Sequence, residues 1–324
     1  MLTVSSNPGL ASKLEALEAH LPEILHASSP ELQQVGEAFF FTRGKRIRPA
    51  VAMLSAEMAG YRGEDDVRLG VVVELIHLAT LVHDDILDES RLRRGDRSVN
   101  FQWGNELAVL FGDYLYTKAM DEAIALGRLD VLQTLCGITV EMIQGELVQH
   151  YRRGAAELTE EEHFDIIRRK TALLFAGCAR LGGRLAGAPE ETEEALWRFG
   201  LHFGMAFQLV DDLLDYTARE DILGKPMLGD LAEGKVTLPF LCFTKDGNLR
   251  LRQVLRESLG DAEAVARHRD DILHMASESD GVGRVQAHAQ AFAREAKRAL
   301  ETFPKCRARR DLETLTEFVL SRKK

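Results

Sequence analysis

Two short stretches of the chain carry three aspartates each, at the same spacing. DDILD runs from Asp84 to Asp88, and DDLLD runs from Asp211 to Asp215. In a helix, residues four apart share a face, so the outer aspartates of each motif point the same way. Like charges at that spacing destabilise a helix and are costly to bury unpaired, so we expect a cation beside each motif. Mg²⁺ fits, because it prefers carboxylate oxygens and is commonly held by one or two carboxylates plus substrate phosphates.

Basic residues near the motifs indicate an anionic ligand. Lys45 and Arg48, in GKRIRP, stand at a predicted helix start, where unpaired backbone N–H groups and the helix dipole favour an anion. Arg93 and Arg94 follow the first motif and complement either an anion or the end of the helix. Arginine binds phosphate with two parallel hydrogen bonds. An ordinary solvated surface is the alternative interpretation of each of these groups.

Further polar residues lie at positions that bring them near the motifs. His77 lies two helical turns before Asp84 on the same face, and Gln208 lies one turn before Asp211 and Asp212. Core packing or simple surface exposure is the alternative role for each. Two lysines of the glycine-rich segment 220–239 and one Lys-Thr pair in RRKTALLF complete the candidates: Lys170, Thr171, Lys225 and Lys235.

The elements that position these residues are predicted to be almost entirely α-helical. Apolar residues recur at helical spacing, as in VVVELIHLATLV, whereas alternation typical of strands is scarce. Pro49 as the first residue of a helix, Thr159 with Glu162 as a capping box, and Gly95 after a basic last turn mark helix ends. We expect ten to thirteen helices in a single domain over residues 1–324. The long segment 220–239 is predicted to be a functional loop.

Composition narrows the class of protein. The chain has 324 residues with 45% hydrophobic and 28% charged residues, as in soluble globular proteins. Its net charge of −10 argues against nonspecific binding to nucleic acid or anionic lipid. With no secretory signal and no apolar stretch of membrane-spanning length, we expect a cytoplasmic protein without a transmembrane segment. The four cysteines are isolated, which favours neither a zinc site nor a disulfide framework.

Taken in order, several segments resemble those of the trans-polyprenyl diphosphate synthases. They are GKRIRP, ELIHLATLVHDDILDESRLRRG, FGDYLYTKA, KTALLF, FQLVDDLLDY and GKVTLP, within residues 40–245. The resemblance implies an all-α isoprenoid synthase type I fold, a single large helical bundle around a central cavity, usually as a homodimer. It implies head-to-tail condensation of isopentenyl diphosphate with an allylic diphosphate, farnesyl or geranyl diphosphate, to an all-trans polyprenyl diphosphate. Residues 248–324 carry no recognised motif.

The resemblance also implies roles for individual residues. Mg²⁺ ions, three per active site with substrate bound, would be held by Asp84, Asp88, Asp211 and Asp215. The allylic diphosphate would further contact Arg93, Lys170, Lys225 and Lys235. The isopentenyl diphosphate would contact Lys45, Arg48, His77 and Arg94. The reacting carbons would be lined by Thr171 and Gln208. One departure is Leu228, which stands where the family commonly has glycine.

Product length in this family depends on the side chains one turn before the first motif. Bulky aromatic residues there stop growth at short products, whereas this chain has Ala79 and Thr80. We therefore expect an open tunnel and a product near C40, and ATLVHDDILDES is most similar to the octaprenyl-type members. A floor formed by Ile76, Tyr116 or Met142 would instead give a C15 to C35 product. Simple helix packing is the alternative role of Ala79 and Thr80.

Three other classes stay open on the sequence alone. A class I terpene cyclase also ionises an allylic diphosphate, but it needs no site for a second diphosphate. A di-iron carboxylate bundle would use the E-x-x-H pairs Glu23/His26, Glu74/His77 and Glu160/His163, although nearby basic residues would repel such a metal pair. A noncatalytic subunit of a heteromeric synthase typically loses one aspartate motif, and this chain keeps both.

Overall fold

The chain is almost entirely α-helical. The computed structural model describes residues 7–26, 29–40, 44–93, 95–218, 227–245 and 248–322. These ranges contain sixteen α-helices, one π-helical turn and one pair of two-residue strands. The predicted all-α class is therefore confirmed. The expected ten to thirteen helices are too few, partly because helices of four and five residues carry no periodicity that a sequence pattern reveals.

Two compact units interleave along the chain. The first comprises Met1–Gly137, Phe175–Gly200 and Ala299–Leu315, and the second comprises Ile138–Leu174, Leu201–Arg298 and Thr316–Lys324. A single domain over residues 1–324 stays a prediction.

The elements, in chain order, are α1 Pro8–His26, α2 Pro30–Phe40, α3 Ile47–Met58, α4 Asp65–Leu87, β1 Leu92–Arg93, β2 Asp96–Arg97, α5 Val99–Trp103, α6 Asn105–Ala125, α7 Leu129–Tyr151, α8 Glu160–Ile167, a π-helical turn Arg168–Ala172, α9 Leu173–Leu185, α10 Glu190–Thr217, α11 Gly229–Ala232, α12 Leu238–Lys245, α13 Leu249–Ser258, α14 Ala262–Ser277, α15 Gly281–Leu300 and α16 Arg307–Ser321.

Helix α4 is the central element of the first unit. It packs against α1, α3, α5 and α6, and its run of apolar residues is buried on most sides. Asp66 in its first turn is fully buried and forms an ion pair with Lys13 of α1. Gly112 brings α6 close, because a Cβ atom there would overlap the ring of His83 on α4. The first aspartate motif therefore stands at the end of a helix that its neighbours hold in place.

Helix α4 ends before Gly95, and the prediction of a basic last turn closed by that glycine is wrong. Glu89 adopts a left-handed φ of 49°, and Ser90 N donates to Asp85 O at 2.9 Å, which closes the helix as a Schellman-type motif. The chain then forms the β1–β2 hairpin, in which Leu92 pairs with Arg97. Gly95, at φ 89°, lies in its turn. A glycine that tolerates positive φ serves a hairpin as well as a helix end, and the sequence did not separate the two.

Helix α8 and the π-helical turn lie in the second unit, and α9, which lies mostly in the first unit, follows them along the chain without a break. The predicted capping box at the start of α8 is confirmed: Glu162 N donates to Thr159 Oγ1 at 3.2 Å, and Thr159 N donates to Glu162 Oε2 at 2.9 Å. Gly145 of α7 lets the π-helical turn approach, because a Cβ atom there would lie 3.1 Å from Lys170 N. The second unit has its own core of buried side chains from α10 to α14, among them Tyr216, Phe240 and Phe243.

None of the described helices combines enough length with enough apolar character to cross a bilayer.

Candidate active site

The first aspartate motif presents two outer carboxylates and one inner carboxylate. Asp84 and Asp88 are partly exposed, whereas Asp85 is 2% exposed. Arg93 from β1 holds Asp85 through its guanidinium: Nε donates to Oδ1 at 2.9 Å and to Oδ2 at 3.2 Å, and Nη2 donates to Oδ1. Burial disfavours the charged guanidinium, but the hydrogen bonds to Asp85 and the charges of Asp84, Asp85 and Asp88 outweigh it and raise the pKa of Arg93. The guanidinium of Arg93 therefore supplies part of the positive charge that is expected beside this motif.

The second aspartate motif lies within the last turns of α10. Asp215 is 1% exposed and accepts hydrogen bonds from Gly229 N at 3.2 Å and Asp230 N at 3.1 Å, at the start of α11. Asp211 is more exposed and forms an ion pair of 2.6 Å with Arg322, just beyond α16. The N–H groups of a helix start carry partial positive charge, so they stabilise the buried carboxylate of Asp215. Leu228, before α11, has the positive φ of 60° that explains a glycine preference at this position.

A chain of polar side chains connects Thr171 to the second motif. Thr171 Oγ1 donates to Gln208 Oε1 at 2.7 Å, and Gln208 Nε2 donates to Asp212 Oδ1 at 2.8 Å. Asp212 Oδ2 lies 3.4 Å from His163 Nε2, and both atoms are buried without a well-aligned hydrogen-bond partner among the described residues. The structure therefore brings Thr171 and Gln208 together and places His163 beside Asp212.

Lys170 lies in the π-helical turn, next to Thr171. Its ammonium group lies 2.5 Å from Glu146 Oε2 and 3.0 Å from Gln149 Oε1 of α7. A π-helical turn shifts the direction of the side chains it carries and occurs frequently at functional sites. The sequence gives no signal for this turn, which places two adjacent candidate residues in one irregular segment.

Lys235 follows α11 and is largely buried. Its ammonium group lies 2.6 Å from Glu233 Oε2, and its backbone N donates to Asp230 O at 2.8 Å. The segment around Lys235 is thus anchored to the same short helix that bonds to Asp215.

The residues assigned by resemblance to isopentenyl diphosphate lie in the first unit. Lys45 is exposed, Arg48 is partly exposed at the start of α3, and His77 is partly exposed on α4. The guanidinium carbon of Arg48 lies 4.5 Å from the centroid of the Phe175 ring, a cation–π contact that orients it. Arg94 and Lys225, the two remaining candidates, lie outside the described residues.

The candidate chain-length residues lie one turn before the first motif. Ala79 is 2% exposed, and Thr80 is partly exposed with its hydroxyl donating to His77 O at 2.8 Å. The Thr80 hydroxyl is thus bonded to its own helix.

A preformed metal site is not seen in the described part of the chain. No three His, Cys, Asp or Glu side chains converge there as a ligand set. Members of two of the E-x-x-H pairs have other partners: Glu74 bonds to Arg46, Glu160 bonds to Lys245, and His163 faces Asp212. Two outer carboxylates per motif do fit a Mg²⁺ ion that completes its coordination with water and substrate phosphate.

Sequence reasoning missed several residues that hold the candidate groups in place. Arg46 contacts Glu74, Arg322 contacts Asp211, and His163 faces Asp212. Glu74 and His163 were noted only as members of E-x-x-H pairs, and Arg46 stands inside GKRIRP. Their partners are distant in sequence, so helical spacing gave no sign of them.

Comparison with known proteins decides the family. The family model described as polyprenyl synthetase matches residues 29–276 of the chain. The chain belongs to the trans-polyprenyl diphosphate synthase family. Octaprenyl diphosphate synthase of Escherichia coli is 36% identical over 295 residues, which cover 91% of this chain and 91% of that protein. Heptaprenyl diphosphate synthase component 2 of Bacillus subtilis is 32% identical over 314 residues, covering 97% and 89%.

A solved structure gives the same answer for the fold. The polyprenyl synthase from Caulobacter crescentus, crystallised with calcium and isoprenyl diphosphate, superposes with a TM-score of 0.91 at 30% identity, covering 97% of this chain and 96% of that one. The all-α isoprenoid synthase type I fold is thereby confirmed. The protein is a trans-prenyltransferase with polyprenyl diphosphate synthase activity.

Proposed function

We propose that this trans-polyprenyl diphosphate synthase condenses isopentenyl diphosphate with farnesyl or geranyl diphosphate to an all-trans product near C40, with Mg²⁺. The observation that carries the proposal is the pair of DDxxD motifs, each with its inner aspartate held by the protein. Support comes from Lys45, Arg48 and His77, which are the additional groups that a second diphosphate requires.

The proposed metal is supported by donor chemistry. Asp84, Asp88, Asp211 and Asp215 provide hard oxygen donors, and the Caulobacter relative was crystallised with calcium, another divalent cation that prefers oxygen. Three Mg²⁺ ions per active site remain the expectation. When bound, they would stabilise the charge that develops on the departing pyrophosphate.

The chain's own cationic groups have a matching task in the proposal. Arg93, Lys170, Lys225 and Lys235 bind the allylic diphosphate and stabilise pyrophosphate as the allylic C–O bond breaks. Isopentenyl diphosphate, held by Lys45, Arg48, His77 and Arg94, then attacks the allylic cation with its double bond. A new C–C bond forms and one proton leaves to the released pyrophosphate, which restores a double bond. Thr171 and Gln208, hydrogen-bonded to each other, would line the reacting carbons.

Product length is the finer part of the proposal. The relatives described above make octaprenyl and heptaprenyl products by name, so family membership alone leaves the length open. Small side chains at Ala79 and Thr80 support a long product near C40. A floor at Ile76, Tyr116 or Met142 is the alternative, with a shorter C15 to C35 product.

Self-association is part of the same proposal. Helix α6 exposes Leu110 at 62% and Ile124 at 63%, and the second half of α7 exposes Ile143 at 57% and Tyr151 at 84%. Exposed apolar residues repeated along a helix are typical of protein interfaces. We propose that they contact a second copy of the chain in a homodimer. A cytoplasmic location and a single domain remain predictions from the sequence.

The decisive experiment is a product assay. The purified protein is incubated with Mg²⁺, labelled isopentenyl diphosphate and farnesyl diphosphate, and the dephosphorylated products are sized by reverse-phase chromatography. We expect a ladder that ends near C40. Ala79→Phe should shorten the final product because an aromatic ring would block the tunnel, whereas Leu249→Phe, at an exposed position of α13, should leave it unchanged.

Other outcomes point to other functions. An end point at C15 to C20 in the wild-type protein keeps the synthase but contradicts the open tunnel at Ala79 and Thr80. Loss of pyrophosphate from farnesyl diphosphate without elongation would indicate a cyclase. No reaction with any allylic primer would turn attention to a missing partner, since the Bacillus relative is named as one component of its synthase.

A further inference from the structure

In the sequence, Arg46 lies between Lys45, which is exposed, and Arg48, which is partly exposed. The side chain of Arg46 is nevertheless buried. It immediately precedes α3, and its backbone adopts the left-handed region with φ 49° and ψ 38°. Such a conformation is unfavourable for a residue other than glycine and persists only where the surroundings impose it. The guanidinium is 4% exposed and makes the contacts that impose it.

Three hydrogen bonds join Arg46 to two other helices of the same unit. Nε donates to Glu18 Oε1 at 2.8 Å and Nη2 donates to Glu18 Oε2 at 3.2 Å, both on α1. Nη1 donates to Glu74 Oε1 on α4 at 2.6 Å. Burial disfavours the charged guanidinium, but the two carboxylates outweigh it, and the pKa of Arg46 is raised. Arg46 therefore fixes the start of α3 against α1 and α4 as a charged group.

Glu74 lies close in the helix to a candidate substrate-binding residue. Glu74 lies three residues before His77 on α4 and is 2% exposed. One buried guanidinium thus ties the segment that carries Lys45 and Arg48 to the helical turn that carries His77. These are the groups proposed to bind isopentenyl diphosphate. Packing alone does not require a charged clamp, because an apolar pair of similar volume stabilises a fold at least as well.

We infer that Arg46 and Glu74 are positioning residues for isopentenyl diphosphate. They hold Lys45, Arg48 and His77 at the spacing that one diphosphate needs, without touching the substrate. The inference rests on the proposed function. It predicts a selective effect. Loss of the Arg46–Glu74 contact weakens binding of isopentenyl diphosphate and leaves binding of the allylic substrate unaffected, whereas a general loss of stability would affect both.

The first test uses Arg46→Lys. Lysine keeps the positive charge but lacks the planar fork that reaches two carboxylates at once. We expect calorimetry with isopentenyl diphosphate alone to give a Kd raised about tenfold, an effect of the size seen when supporting hydrogen bonds of a binding site are removed. The KM for farnesyl diphosphate should stay near the wild-type value.

A second variant guards against misfolding. The double replacement R46M/E74L removes the clamp without leaving the buried carboxylate of Glu74 unpaired, a change that folds commonly tolerate. Glu18 also loses its partner, but its side chain is 26% exposed and can be solvated. The double variant should show the same selective loss of affinity. The matched control is K13M/D66L, which removes another ion pair between α1 and α4, outside the 44–48 segment. The control should bind isopentenyl diphosphate as the wild-type protein does.

Each contrary result has one meaning. An unchanged Kd in the folded Arg46 variants, or equal losses for both substrates, overturns the inference. A control that loses as much affinity as R46M/E74L also overturns it, because any loosening of α1 on α4 would then suffice. If the wild-type protein neither binds isopentenyl diphosphate nor elongates farnesyl diphosphate, the proposed function itself fails.

Discussion

The two aspartate motifs have the same spacing, and in both the inner aspartate is buried: Asp85 is 2% exposed and Asp212 is 4% exposed. Their partners differ in charge. Asp85 is bonded by the guanidinium of Arg93, a permanent cation, whereas Asp212 accepts from the neutral amide of Gln208 and faces His163. The inner aspartate of the first motif therefore has a cationic partner within the protein, whereas the inner aspartate of the second motif accepts from a neutral amide.

The last aspartates differ as well. Asp88 lies just past the end of α4 and is partly exposed, while Asp215 is buried within α10 and accepts two backbone hydrogen bonds from the start of α11. The two motifs therefore share a spacing but differ in structural role. In the first motif, both outer carboxylates are accessible to solvent. In the second motif, Asp215 is a proposed metal ligand and also supports the local fold.

The largest effect expected from this comparison is on activity at Asp84. Asp84→Asn removes one charge from a partly exposed metal ligand and should lower kcat about a hundredfold to a thousandfold, as the loss of one electrostatic stabiliser of a transition state does. The melting temperature should not fall, because the change relieves repulsion from Asp85 and Asp88. Steady-state kinetics with Mg²⁺ and a thermal melt measure both. Glu89→Gln, at the same helix end, is the control, and an activity of Asp84→Asn close to that control would contradict the metal role.

The inner aspartates should separate by stability. Asp85→Asn weakens charged hydrogen bonds to Arg93 and should lower the free energy of unfolding by about 2–3 kcal/mol, whereas Asp212→Asn weakens a hydrogen bond to the neutral amide of Gln208 and should cost about 1 kcal/mol. Urea denaturation of the two variants gives the ranking. Equal losses, or the reverse order, would show that the charge of the partner does not distinguish the motifs.

A local effect is expected at Asp215. Asp215→Ala leaves Gly229 N and Asp230 N without their acceptor, at a cost of about 1–3 kcal/mol, so hydrogen exchange in a peptide spanning 227–235 should quicken about tenfold or more. The matched variant Asp88→Ala removes a carboxylate that lies at a helix end in the first unit, and exchange in this peptide should not change. Unaltered exchange in Asp215→Ala would mean that α11 does not depend on this carboxylate.

Much of this arrangement could be read from the sequence, because helical periodicity and fixed spacing are local properties. They predicted the all-α class and the capping box at Thr159. What escaped prediction depends on distant partners. The hydrogen bonds from Arg93 to Asp85 depend on the turn at Glu89 and on the β1–β2 hairpin. The sequence pattern instead predicted that the helix continues there. The link between Asp215 and α11 joins residues separated by a loop whose path no periodicity specifies.

The smallest expected effect concerns Arg322, which forms a 2.6 Å ion pair with Asp211 and lies over the ring of Phe207 at 4.9 Å. Asp211 is a proposed metal ligand, so the guanidinium and a divalent cation compete for one carboxylate. A partly exposed ion pair contributes about 0.2–1 kcal/mol, so Arg322→Gln should raise the affinity for Mn²⁺ in the presence of pyrophosphate up to about fivefold. Electron paramagnetic resonance of free Mn²⁺ measures this directly, with Arg310→Gln, an exposed arginine of α16, as the control. A fall in the affinity for Mn²⁺ would mean that Arg322 helps to bind the pyrophosphate rather than competing with the metal. The second motif would then resemble the first, where Arg93 is proposed to bind the diphosphate together with the aspartates.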